Sequence, residues 1–157
     1  MINMIVACDA KGGIGLKNGL PWPKHEKDMK WFCHNTINNV VVMGRKTWES
    51  IGSSPLKKRV NIVLSRTEIE GADRTISGSM PEIIETLRTD YTKKSVWFIG
   101  GANVYDQANR FCDGVYLTQF PETYECDSYI NVNDYLRGRY EACSKVVDGV
   151  KFSVWSR

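Results

Sequence analysis

Apolar and polar positions follow three rhythms along this chain. Short aliphatic runs rich in β-branched residues read as strands: "MIVAC" (4–8), "VVVM" (40–43), "VNIVLS" (60–65), "SVWFI" (95–99) and "GVYLTQF" (114–120). A run as continuous as "VVVM" predicts burial on both faces, as in a parallel sheet. Between these runs, helical segments are predicted over 24–36, just after Gly44, over 79–91 and after Gly101. Ser79 with Glu82 three residues later is a capping-box pattern. The third rhythm comes last: two strand-like runs, "RYEACSKVV" and "VKFSVWS", flank Asp148-Gly149, a strong hairpin signal. The predicted fold is an α/β three-layer sandwich in one domain, 1–157. Its mixed central sheet is mostly parallel and ends in an antiparallel C-terminal hairpin. Ligands in such sheets bind beyond the carboxyl ends of the strands.

The segment "PWPKHEKDMKWFCHNT" (21–36) holds one position that breaks its own pattern. At about 100° per residue, Lys27, Lys30 and His34 share one side and Phe32 lies opposite, flanked by Met29 and Thr36. Asp28 falls between Trp31 and Phe32, away from the lysines. The pattern leaves two readings: a rim carboxylate that still reaches water, or a carboxylate in an apolar pocket. The second needs a cationic or amidine-like partner, or a bound proton, because a buried unpaired charge is costly.

Two strand-to-helix junctions carry glycine. In "VVVMGRKTWES", Gly44 allows a tight turn and a helix starts with Arg45-Lys46-Thr47. Cations oppose the dipole at a helix start, and a bound phosphate would remove that conflict. In "VWFIGGANVYDQ", paired glycines let the backbone approach a ligand closely. Neither is a G-x-G-x-x-G fingerprint. Each alone also fits a plain connector; two in one small domain suit an extended, multi-phosphate ligand. A third stretch, "GGIGLKNGLPW" (12–22), reads either as a mobile loop over a site or as a flexible surface loop.

Composition narrows the classes without choosing among them. The chain has 157 residues, 42% hydrophobic and 25% charged, as in a soluble globular protein. At this size roughly 68–70% of the unfolded surface is buried, so no staple is needed. Five cysteines without C-x-x-C, and His25 and His34 nine apart on one predicted helix, argue against a disulfide framework or a metal site. No apolar run is long enough for a membrane span, and the start lacks a basic n-region, so the expected location is cytoplasmic. A net charge of +3 does not demand nucleic acid, and would suit a small polyanion.

Taken together, "IVACDAKGGIGLKNGLPW", "DMKWFCHNT", "VVVMGRKTWESIG", "NIVLSR", "FIGGANVY" and "VYLTQF" resemble dihydrofolate reductase in order and spacing, over essentially the whole chain. The likeness is to the short bacterial-type or phage-type enzymes. It implies NADPH-dependent reduction of 7,8-dihydrofolate to tetrahydrofolate, feeding one-carbon metabolism and thymidylate synthesis. It implies a monomer that binds dihydrofolate and antifolate-type molecules, with no nucleic-acid or membrane partner.

The resemblance also implies residue roles. Asp28 would take hydrogen bonds from the 2-amino group and N3 of the pterin, with Thr118 sharing the network; these two are the catalytic pair. Ile5, Met29, Phe32, Ile51, Leu56 and Ile99 would be apolar walls, with Ala7 and Tyr105 also at the substrate. Arg59 would take the α-carboxylate of the glutamate tail. On the cofactor side, Ala7 and Ile14 would hold the nicotinamide carboxamide beneath the loop bearing Gly15, Asn18 and Leu20. Arg45, Ser65 and Arg66 would surround the 2′-phosphate, with Leu64 beside them. Gly44, Lys46, Thr47 and Ser50 would serve the pyrophosphate with the turn Gly100, Gly101, Ala102, Asn103, Val104, Tyr105. The Gly100–Gly101 bond would be cis.

Some positions depart from the family's usual pattern. Leu20, Ser53, Asn103 and Cys126 stand where methionine, arginine, arginine and glycine are frequent, and the segment between Trp22 and Asp28 is one residue longer than in the common bacterial pattern. Two rivals share the fold: a non-catalytic pterin- or nucleotide-binding protein, and a reductase acting on pyrimidine intermediates of flavin synthesis. The intact Asp28 and both glycine turns weigh against the first, and the D-x-x-WF helix against the second.

Overall fold

The computed structural model describes residues 1–157. Its strands are β1 (Ile2–Cys8), β2 (Gly13–Gly15), β3 (Val40–Gly44), β4 (Val60–Leu64), β5 (Arg74–Ile76), β6 (Val96–Phe98), β7 (Gly114–Gln119), β8 (Ser128–Tyr129), β9 (Tyr140–Val147) and β10 (Val150–Ser156). Its helices are α1 (Glu26–Thr36), α2 (Arg45–Ser50), α3 (Met80–Asp90), α4 (Ala102–Ala108) and α5 (Val132–Leu136). Eight strands form one sheet in the order β5-β4-β3-β6-β1-β7-β10-β9. Pairing is parallel from β5 through β7, and antiparallel across β7–β10 and β10–β9. This is the mostly parallel mixed sheet with a C-terminal hairpin that the hydrophobic rhythm predicts.

The β3 run shows why the strand is so uniformly apolar. Val40 and Val42 pack into one core with Met80, Ile83, Ile84 and Leu87 of α3 and Val104 of α4. Val41 and Met43 face the other way, onto Trp48 of α2 with Trp31 and Phe32 of α1. Alternate side chains thus enter two cores on opposite faces, which makes the three layers. Ser79 caps α3 and its Oγ accepts from the Glu82 amide, while Glu82 reaches back to the Ser79 N–H.

Four elements escape the hydrophobic pattern: β2, β5, β8 and α5. The first corrects the expectation of a loose loop over 12–22. Gly13 and Gly15 pair antiparallel with Tyr129 and Ser128 as a small second sheet. A Cβ on Gly12 would stand 2.5 Å from the Ile130 carbonyl oxygen, and one on Gly13 only 2.4 Å from Cys126 Sγ. These two glycines serve close packing. Only the tip is a free turn: Leu16 and Gly19 exchange backbone hydrogen bonds across Lys17 and Asn18, both at positive φ.

The root of this loop is held by Asp9, a buried carboxylate directly after β1. Its Oδ1 accepts from the amides of Lys11 (2.9 Å) and Gly13 (2.8 Å), and its Oδ2 from the Tyr124 amide (2.9 Å) and the Cys126 thiol (3.6 Å). The far end is fixed by Trp22, which is buried with its ring centroid 4.5 Å from that of Phe120.

Candidate active site

The carboxyl ends of β1, β3, β4, β5, β6 and β7 open into one cleft of about 1750 Å³, walled by α1 on one side and roofed in part by the loop 14–20. All the side chains proposed above for substrate and cofactor line it. What differs along the cleft is how they are held.

α1 begins two residues later than its apolar pattern suggests. His25 is its N-cap: the backbone is extended, and Nδ1 accepts from the Asp28 amide at 3.1 Å. His25 is therefore not on the helix with His34. Asp28 is half-buried and faces the cleft with no cation paired to it. Burial pushes its carboxyl above the usual range; the Thr118 hydroxyl and His25 offset part of that. Thr118 is buried next to the carboxyl end of β7, in register with Ala7 of β1 and Phe152 of β10. The other two carboxylates of the cleft are engaged: Glu49 pairs with Arg45 at 3.8 Å, and Asp127 accepts from the Lys17 amide at 2.9 Å.

Apolar walls surround Asp28. Met29, a large apolar side chain, is 43% exposed because it faces the cleft rather than a core. Trp31 also lines the cleft, and its Nε1 is buried with no partner. Tyr105 is buried from α4 with its hydroxyl donating to the Ile5 carbonyl at 2.8 Å. Burial, with the nearby Asp28 charge, pushes that phenol strongly upward. It is a neutral spacer between the two halves of the cleft.

Arg59 sits at the outer end. Its guanidinium lies 5.9 Å from the Phe32 ring centroid and donates to Thr36 Oγ1 at 3.2 Å. Asn61, fully buried on β4, shapes the approach: it accepts from the Leu56 amide (2.9 Å) and donates to the carbonyls of Leu56 (2.9 Å) and Arg59 (3.0 Å). A buried Asn with these backbone bonds fixes Leu56 and Arg59 beside the cleft. The sequence carries no spacing signal for it.

The two glycine turns meet at the other end. β3 and β6 are neighbours, and the Gly44 amide donates to the Gly100 carbonyl at 2.9 Å. The Gly100–Gly101 bond is cis. A Cβ on Gly44 would stand 3.1 Å from Val104, and one on Gly100 3.3 Å from the Tyr105 hydroxyl. Arg45, Lys46 and Arg66 ring this end, with Ser65 at the end of β4. Ser77 and Gly78 join them from the end of β5, a three-residue strand with no apolar run to announce it. Backbone without side chains and three cations form a cradle suited to a dinucleotide's phosphates.

Comparison with known proteins supplies the class. A family model described as dihydrofolate reductase matches residues 1–147. The dihydrofolate reductase of Buchnera aphidicola subsp. Baizongia pistaciae is 34% identical over 151 residues, covering 96% of this chain and 89% of that protein. The bifunctional dihydrofolate reductase-thymidylate synthase of Paramecium tetraurelia is 34% identical over 83% of this chain; the match spans only 28% of that longer protein. A solved structure of Enterococcus faecalis dihydrofolate reductase, complexed with NADP(H) and RAB-propyl, superposes with a TM-score of 0.87 at 30% identity. It covers 100% of this chain and 96% of its own. These matches identify a nicotinamide-dependent oxidoreductase. The chain belongs to the dihydrofolate reductase family, whose cofactor is NADPH.

Proposed function

We propose that this chain reduces 7,8-dihydrofolate at C6 and N5, with Asp28 as the one charged group serving the pterin. The observation that carries the reading is Asp28 itself: a half-buried, unpaired carboxylate in an apolar cleft, held above its usual pKa by burial. An amidine-like edge is the natural partner, since it offers two parallel N–H donors to two carboxylate oxygens. Thr118 orients that pair. Arg59, with its two-pronged guanidinium, takes the carboxylate at the far end of the substrate, and Met29, Phe32 and Leu56 hold the ring system between.

The residues at the other end fit NADPH. Arg45, Ser65 and Arg66 take the 2′-phosphate; Lys46, Thr47 and the turn from Gly100 take the pyrophosphate; Ala7 and Ile14 hold the carboxamide by their backbone. When bound, the cofactor supplies a hydride from C4 of its nicotinamide. The chain's own work is to orient, exclude water and manage the proton. Asp28 is placed for the amidine edge, so it raises the basicity of N5 and holds the ring, while water on the loop side delivers the proton. The loop 14–20 closes the cleft against bulk water.

The test is loss of absorbance at 340 nm with NADPH, with and without dihydrofolate. Dihydrofolate-dependent oxidation supports the reading. Ligand binding without turnover would leave a binding protein on the same fold. In solution the chain is expected to be a monomer. No helix is long and apolar enough to cross a membrane.

A further inference from the structure

A short segment joins Trp22, at the end of the loop over the cleft, to Asp28 on α1. His25 lines the cleft and gives α1 its side-chain N-cap. The cap lands on Asp28: the backbone N–H of that residue donates to His25 Nδ1 at 3.1 Å. Accepting at Nδ1 requires the neutral ring with its proton on Nε2. The ring is seated edge-on against Phe120, with centroids 5.3 Å apart at 79°. Phe120 in turn packs on Trp22, the far anchor of the loop over the site.

We propose that His25 is a pH-sensitive positioning residue: neutral, it caps α1 and sets the orientation of Asp28; protonated at Nδ1, it releases that cap. This rests on the reading of Asp28 as the pterin's carboxylate. Protonation has two consequences. The Asp28 amide loses its acceptor, and a cation appears at the start of a helix, where the dipole opposes it. Charged side chains stand on the imidazole's own segment and on the neighbouring turns. Lys24, Glu26, Lys27 and Asp28 flank it along its own segment. Glu122, beyond Phe120, is hydrogen-bonded to Tyr124, and Asp148 of the β9–β10 turn is paired with Lys27 at 3.9 Å. A protonated His25 favours the charge of Asp28.

Two measurements decide it. In the free protein, the Asp28 backbone amide resonance should move with the midpoint of the His25 ring, and this movement should vanish in His25→Asn. An Asp28 amide indifferent to the His25 midpoint overturns the cap as a switch. In the enzyme assay, His25→Ala should lower kcat/KM for dihydrofolate by about fivefold at neutral pH, the size of a lost cap, chiefly through KM. His25→Asn, which restores a cap acceptor that does not titrate, should recover most of that loss and remove the His25 inflection from the pH profile. Equal loss in both variants, or a wild-type profile without that inflection, overturns the proposal. Absence of any dihydrofolate-dependent turnover in the wild type would instead overturn the proposed function, and the amide titration would still decide the cap.

Discussion

Asp9 and Asp28 are both carboxylates withdrawn from solvent, one at the root of the loop over the cleft and one on the helix beyond its far end. Burial alone would raise both. At Asp9 the amides of Tyr124, Gly13 and Lys11 and the Cys126 thiol outweigh it and hold the carboxyl below its usual range. At Asp28 burial wins and the carboxyl is raised. The difference is supply of donors. Asp9 has its donors within the chain and is finished on folding. Asp28 has Thr118 and His25 as partial compensation and lacks a cation, a shortage that the proposed pterin edge would make good.

The contrast has opposite signs with pH. Asp9, lowered on folding, adds stability above its ordinary pKa, and that stability is lost as pH falls through its folded-state value. Asp28, raised on folding, opposes folding at neutral pH, and the opposition is relieved as pH falls through its raised value.

The largest expected effect is at the ligand-seeking carboxylate. Asp28→Asn should cut hydride transfer at pH 7 by at least about a hundredfold, with partial recovery at low pH where dihydrofolate arrives protonated. Yet it should raise the thermal midpoint of the free protein. Near wild-type turnover, or a lower midpoint, breaks the contrast. Asp9→Asn should do the reverse, costing about 3 kcal/mol of stability while sparing hydride transfer in the protein that remains folded. Denaturant unfolding and single-turnover kinetics separate the two.

Arg45→Ala tests a third kind of charge, exposed and paired only with Glu49 at 3.8 Å. It should weaken NADPH by roughly tenfold to a hundredfold, given about 1.5–3 kcal/mol for a charge-assisted contact. NADH should hardly change; equal loss for both would place Arg45 with the fold or the pyrophosphate. Smallest is the loop. Amide exchange at 16–20 should slow on adding NADPH with a folate analogue, while exchange at Asp148-Gly149 stays constant. Gly19→Ala, where a new Cβ meets only the Leu16 carbonyl oxygen at 3.6 Å, should alter turnover by a few-fold at most.

The long elements were legible because each carries its own period. β3 reads as doubly buried because Val40 through Met43 are all apolar, and α3 announces its start with Ser79 and Glu82. β5 and β8, at three and two residues, have no period to read, and depend on partners distant in sequence. Asp28 was legible as the one acid on the wrong face of its helix, while most other site residues came with the family resemblance. Asp9, Asn61 and His25 were not. Each acts on backbone amides or carbonyls, and no spacing rule records which backbone a polar side chain will meet. The glycines of 12–15 misled for a related reason: a missing side chain looks the same whether it permits motion or close contact.

In mechanical language, Asp9 makes the loop over the cleft a cantilever. Its root is riveted by four donors on one carboxylate, and Gly12 and Gly13 leave no slack against Ile130 and Cys126. Bending is then confined to the free span around Lys17 and Asn18, whose lateral stay is the single Asp127 bond to the Lys17 amide. A short beam with a stiff root moves fast and through a small arc. Length added at the tip would slow and widen that swing, whereas a change at the root would shift its resting angle over the cleft.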